Sequence, residues 1–161
     1  MGVPERMNFL CDAMLGKLCR QLRILGLDAH YCRSAGPDKL VSSAAAGGRT
    51  LLTRRSSFRR NPPEVPYLLI DSNDPVEQLA QVVHYFRIRP SFLNPFSRCI
   101  VCNRTLEQAD HDSVEGRVPD YVFNTVEAFS RCPDCGRIYW KGTHYSNMTR
   151  HILSMALKCC A

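Results

Sequence analysis

No apolar run in this 161-residue chain approaches the roughly 18 residues needed to cross a membrane. Residues 1 to 8 are short and carry both charges, unlike a targeting segment. No Gly-rich phosphate fingerprint follows any strand-like run, which counts against nucleotide-cofactor folds. These absences predict a protein of the reducing interior of the cell, cytoplasmic by default, with no membrane among its partners. The hydrophobic fraction of 45% and charged fraction of 22% are those of a globular chain. The length suffices for one ordinary domain, residues 1–90, followed by a small metal-stabilised module, residues 91–161.

What the chain has in excess is cysteine, nine in all. Two C-x-x-C pairs, Cys99-Ile-Val-Cys102 and Cys132-Pro-Asp-Cys135, are separated by 29 residues. A tight turn presents two thiolates to one ion, and two such turns supply the four sulfurs of tetrahedral Zn²⁺. Gly136 suits the turn, where the backbone takes positive φ. Disulfides or four unrelated buried thiols are the alternatives. Four thiolates fill the coordination sphere, so this metal holds structure and leaves no place for a reacting water. Cys11, Cys19 and Cys32 lie in apolar patterns, where a thiol serves as a small hydrophobe, and Cys159 and Cys160 form a tail pair.

Charge is unevenly placed within the net +6: residues 1 to 97 carry 13 basic side chains against 8 acidic, and residues 98 to 161 carry 8 against 7. A surface for polyanions is therefore expected on the first unit. Met7–Cys11 reads as a buried strand ending in Asp12. In the helix that follows, Leu15, Leu18, Leu22 and Leu25 form one stripe and Lys17, Arg20 and Arg23 the opposite one. Strands are expected at 29–32, 49–53 and 67–70, with helices opening at Pro37-Asp38 and Asp74-Pro75 between and after them. Arg54, Arg55, Arg59 and Arg60 follow the third strand in a stretch without any acid between Asp38 and Glu64, the strongest basic cluster in the chain.

Alternating strands and helices predict an α/β fold, a parallel sheet covered on both faces, with ligands beyond the carboxyl ends of the strands. Asp12 and Asp71 fall at strand ends and Asp38 at a helix start, so three acids are expected to converge on that rim. In the second unit, a short helix from Asp120 carrying Val122, Val126 and Phe129 is expected between the knuckles. A strand over 137–141 and a last helix from Thr143 through Met148, Ile152 and Met155 follow. His144 and His151 in that helix are read as surface or packing residues.

Five blocks, one of them Glu77-Gln-Leu79, together resemble the Mut7-C domain family. The others are Phe9 to Asp28, with its Phe-Leu-Cys-Asp start; Arg49-Thr-Leu-Leu-Thr-Arg54; Arg98-Cys-Ile-Val-Cys-Asn103; and Phe129-Ser-Arg-Cys-Pro-Asp-Cys-Gly-Arg-Ile-Tyr-Trp-Lys-Gly-Thr-His144. The resemblance implies a PIN-like ribonuclease fold with a C-terminal zinc ribbon. It also implies a site in which Asp12 and Asp38 hold Mg²⁺ or Mn²⁺ for hydrolysis of RNA. Where the family pattern usually ends Leu-Leu-Thr-Arg-Asp, this chain has Arg55. A guanidinium in place of a carboxylate changes the local charge by two units and opposes a cation, with Asp71 or Asp74 as candidate replacements.

Three functions follow. The leading one is a metal-dependent ribonuclease with Asp12, Asp38 and Asp71 as its catalytic acids. The second is a non-catalytic RNA-binding module that uses Lys17, Arg20, Arg23, Arg54, Arg55, Arg59 and Arg60 on phosphates. The third is a zinc-ribbon interaction domain on an inert scaffold.

Overall fold

The structure, a computed structural model, describes residues 7–158, except for the side chains of His144, Tyr145, Met148 and residues 155–157. The tail pair Cys159 and Cys160 lies outside the described residues, as do the side chains of His144, Met148 and Met155.

Four short strands, β1 (Asn8–Cys11), β2 (Asp28–Tyr31), β3 (Thr50–Thr53) and β4 (Tyr67–Leu69), pair in parallel in the order β2-β1-β3-β4. Their helices are α1 (Gly16–Ile24), α2 (Pro37–Gly47), α3 (Ser57–Arg60) and α4 (Pro75–Tyr85). Strand alternation sends Phe9, Cys11 and Leu52 to one face, where Leu18, Leu22, Leu79 and Val82 of α1 and α4 cover them. Leu10 and Leu51 point to the other face, under Leu40 and Ala44 of α2 and Phe58 of α3. This is the layered arrangement that buries both faces of a parallel sheet.

Local chemistry explains the element ends. Asp74 caps α4, its Oδ1 accepting from the amides of Val76 at 2.8 Å and Glu77 at 3.1 Å, with Pro75 at the first helical position. Gly48 closes α2 with φ of 57°. Gly26 turns the chain from α1 toward β2 with φ of 85°, and a Cβ there would sit 2.1 Å from the Asn94 carbonyl oxygen. Only glycine lets the connector pass so close to that turn.

A second, antiparallel sheet has the order β5 (Glu107–Ala109), β6 (Phe129–Arg131), β7 (Ile138–Trp140). Helix α5 (Asp120–Thr125) ends before Val126, so Phe129 opens β6 instead of continuing the helix face expected for it. Phe129 is buried there among Ala109, Val114, Val118 and Val122. Helix α6 (Thr143–Lys158) returns to pack on α4, and its Ile152 joins the core of the parallel sheet. No helix of the described residues is long and apolar enough to cross a membrane.

Candidate active site and metal centre

The strand order reverses direction between β1 and β3, since β2 lies to one side of β1 and β4 to the far side of β3. The crevice beyond the carboxyl ends of two such strands is where open α/β sheets place ligands. Asp12 stands there, directly after β1, with no exposed surface. Its amide donates to the Leu52 carbonyl at 3.0 Å and its carbonyl accepts from the Leu15 amide at 2.9 Å. Both hold it where β1 gives way to a 3-10 turn over Ala13–Leu15.

One carboxylate oxygen, Oδ2, accepts from the Thr53 hydroxyl at 2.7 Å and from Nε of Arg55 at 3.0 Å. Arg55 is fixed in turn by an Nη2 bond to the Ala35 carbonyl at 2.7 Å. The other oxygen, Oδ1, is buried with no hydrogen-bond partner among the described residues. The charge on Asp12 is thus paired with that of Arg55.

The other two acids do not join it in a group of three close enough to share a metal ion. Asp71 pairs with Arg59 on the exposed edge beyond β4 and also receives Gln81. Asp38 is exposed in the first turn of α2, where a negative charge suits the helix dipole. Asp74 is spent on the cap of α4. Among the described residues, the four ribbon cysteines alone form a group of three or more His, Cys, Asp or Glu close enough to share a metal ion. Asp12, Asp38 and Asp71 thus form no metal-sized cluster of three among the described residues, and Asp12 is a buried acid held by an arginine.

The basic residues also divide. Lys17 and Arg20 lie exposed on α1, Arg59 and Arg60 are exposed on α3, and Arg54 and Arg55 are partly buried at the rim. Nε of Arg54 is buried with no hydrogen-bond partner among the described residues. Arg23, expected beside Lys17 and Arg20 on a phosphate-facing stripe, is corrected: it is only 7% exposed. Its Nε donates to the Ala29 carbonyl at 2.8 Å, and its Nη1 to the carbonyls of Ile100 at 3.0 Å and Val101 at 2.8 Å. The first knuckle packs over this face of α1, and its two carbonyls together with that of Ala29 compensate a charge that would otherwise face water.

The two knuckles share one backbone pattern. The amide of Asn103 donates to Cys99 at 2.9 Å and that of Gly136 to Cys132 at 3.0 Å, with φ of 64° and 71° at the two turn residues. Gly136 is legible in the sequence; Asn103 fills the same role, since asparagine tolerates the left-handed region better than most residues. The four Sγ atoms lie within 4.8 Å of one another, and Cys99 and Cys135 stand 3.8 Å apart. An edge of about 3.8 Å follows for a tetrahedron with metal–sulfur bonds near 2.3 Å, so the donor set fits one ion such as Zn²⁺.

Burial opposes ionisation of Cys99, but the Tyr139 hydroxyl at 3.1 Å and the amides of Cys102 and Val101 outweigh it and bring its pKa down to about 7. The hydrogen bond with Cys135, burial and the neighbouring thiolates push Cys102 up to about 12. Four thiols so close resist losing all their protons unless a dication neutralises them.

A second network ties the knuckle to the parallel sheet. Asp28 at the start of β2 accepts from Nη1 of Arg49 at 2.7 Å and from Nδ2 of Asn103 at 2.7 Å, and Arg98 approaches to 3.8 Å. The Oδ1 of Asn103 accepts from the Ala29 amide at 3.1 Å. Burial raises the pKa of Asp28, but the donors from Arg49 and Asn103 outweigh it and hold the carboxyl below its usual range. Thr53, Asn103, Tyr139 and the Asp28 network are functional or supporting residues that local pattern alone does not single out.

Residues 7–152 match the family described as the Mut7-C RNAse domain. A human protein named exonuclease mut-7 homolog is 32% identical over 107 residues, which cover 63% of this chain and 12% of that relative. The chain thus spans a small part of the length of the relative it matches. No solved structure gives a significant match. With the family match running from before Asp12 to beyond the second knuckle, the chain belongs to the Mut7-C RNAse domain family.

Proposed function

We propose that this chain acts on RNA as a domain of the ribonuclease class, and that the phosphodiester is held at the rim beyond β1 and β3. The family description and the name of the human relative both support a nuclease. The observation that carries the reading is Asp12: a carboxylate without exposed surface, at the point where strand order reverses, with one oxygen left unpartnered among the described residues. Burying an acid costs several kcal/mol unless it is paired, at roughly the scale seen for buried ions, and such a cost is met at functional sites. A parallel sheet with helices on both faces is in keeping with a PIN-like fold, to which we assign the first unit. The four cysteines then hold a structural Zn²⁺.

The side chains as they stand do not fit a resident Mg²⁺ or Mn²⁺. Such ions take about six oxygen ligands, whereas the rim offers one free carboxylate oxygen beside a guanidinium. With Asp12 already neutralised, the arginines at this rim favour the phosphate over the metal. The Asp12–Arg55 pair therefore favours a second reading, an RNA-binding domain that does not cleave.

One assay separates the two readings. Cleavage of a single-stranded RNA is followed with and without Mn²⁺ for the unmodified chain, Asp12→Asn and Arg55→Asp. Mn²⁺-dependent cleavage that is lost in Asp12→Asn supports the nuclease. Binding without cleavage by the unmodified chain supports the second reading. Equal cleavage by all three proteins would place the activity elsewhere and remove Asp12 from the site.

A further inference from the structure

We infer that Tyr31 is a stacking platform for a base of single-stranded RNA, with Met14 beside it and Lys17, Arg20 and Arg33 placed for the adjoining phosphates. The inference rests on the RNA reading above and names the side chain that would hold the base.

Tyr31 is the last residue of β2 and pairs with Cys11, the residue before Asp12. It is therefore one strand from the crevice at the carboxyl rim, on the α1 side of the sheet. The residue is 37% exposed in spite of its size. It is nonetheless fixed: its backbone is held in the sheet, and its hydroxyl donates to the Ala13 carbonyl at 2.7 Å. Gly16 leaves the space the ring occupies, since a Cβ there would lie 3.3 Å from the hydroxyl oxygen and 3.4 Å from Cζ. Met14, in the turn that Tyr31 braces, is 53% exposed. The ring is thus anchored at Ala13, one residue in sequence from an exposed thioether on the same turn.

The exposed charges nearest the ring in sequence are basic. Lys17, Arg20 and Arg33 are exposed, and no acidic residue occurs from Ala13 to Leu27 or from Ala29 to Pro37. Single-stranded nucleic acids are gripped by this combination, an aromatic face for the base and cations along the backbone. A ring already immobilised loses little further freedom when a base stacks on it. Every base has a π face, so recognition by Tyr31 tolerates any sequence but requires a base.

The test is equilibrium binding of a labelled single-stranded oligoribonucleotide, and of an abasic ribose-phosphate oligomer of equal length, to the full chain and its variants. Tyr31→Ala is expected to weaken binding of the RNA about tenfold, the order seen when one stacking ring is removed. The slope of log affinity against log salt should stay the same, because every cation that faces a phosphate is still present. Tyr31→Phe keeps the ring and should stay within about twofold of the unmodified chain. Tyr31→Leu retains apolar bulk, guards against a folding defect, and should behave like Tyr31→Ala. The abasic oligomer should bind all four proteins alike. RNA binding that is unchanged in Tyr31→Ala and Tyr31→Leu overturns the platform and leaves the RNA reading intact. Failure of the unmodified chain to bind the RNA at all overturns both.

Discussion

Nε of Arg55 stands 3.0 Å from Oδ2 of Asp12, an ion pair between a carboxylate with 1% side-chain exposure and a guanidinium with 29%. The pair couples the end of β1 to the loop after β3, and through Nη2 of Arg55 to the Ala35 carbonyl before α2. Arg55 therefore acts as a structural bolt across the rim as well as a charge at it.

Changing Arg55 separates these roles. Arg55→Ala leaves Asp12 buried and unpaired and is expected to lower stability by about 2–3 kcal/mol, somewhat below a fully buried pair because Arg55 touches solvent. Arg55→Asp sets two carboxylates together and should be less stable still, until Mn²⁺ is added. Thermal unfolding with and without Mn²⁺ checks this: a metal-dependent rise in Tm confined to Arg55→Asp is the expected result.

Zinc loss should reach beyond the ribbon. Native mass spectrometry is expected to find one Zn²⁺ per chain, absent from Cys132→Ser. Arg23 relies on the carbonyls of Ile100 and Val101 in the first knuckle, so releasing the metal also strips partners from a guanidinium buried in α1. Hydrogen exchange should accelerate around Ala29 and α1 as well as in β5, β6 and β7. Exchange confined to the ribbon would show that the clamp does not transmit the loss.

Acid should weaken the same junction at Asp28. Its pKa is held below the unfolded value, so its contribution to stability is present above that value and is lost as pH falls through the lower folded value. Stability should therefore drop below about pH 4, and Asp28→Asn should flatten that drop. At neutral pH Asp28→Ala is expected to cost about 1–2 kcal/mol, because solvent still reaches the carboxylate. Urea titration across pH reads both effects.

RNA affinity should depend on salt through the exposed cations and not through Arg23. Changing Arg54, Arg59 and Arg60 to Ala together should weaken binding and reduce the salt slope by about one unit for each phosphate left without its cation. Lys17→Ala with Arg20→Ala should act the same way. Arg23→Ala should lower stability and leave the slope unchanged. A slope that changes only in Arg23→Ala would reverse the assignment.

How far each feature can be read from the chain depends on how local it is. The alternation of β1, α1, β2, α2, β3, β4 and α4 follows from runs whose apolar spacing is contained within each run, and the cap at Asp74 needs only its own next three residues. The break between α5 and β6 is misplaced by pattern because Val122, Val126 and Phe129 fit a helical period, whereas pairing of Phe129 with Ala109 and Trp140 draws it into the sheet. Tyr31 reads as an ordinary strand residue, since only its partners Ala13 and Gly16 reveal a fixed ring at the rim.

By itself the sequence determined the two knuckles, the layered α/β order and the family, because spacing within a turn, periodicity within a strand or helix and the order of motifs are all written along the chain. The tertiary structure decided which charges meet. Asp12, Asp38 and Asp71 all sit at element ends in sequence, yet Asp71 turns to Arg59, Asp38 faces solvent, and Asp12 is taken by Arg55. Lys17, Arg20 and Arg23 form one stripe in sequence, yet the first knuckle covers Arg23 and leaves the other two in water. A helical period assigns a residue to a face, but whether that face meets solvent, a carboxylate or a row of carbonyls depends on segments tens of residues away, whose approach is set by packing of the whole core.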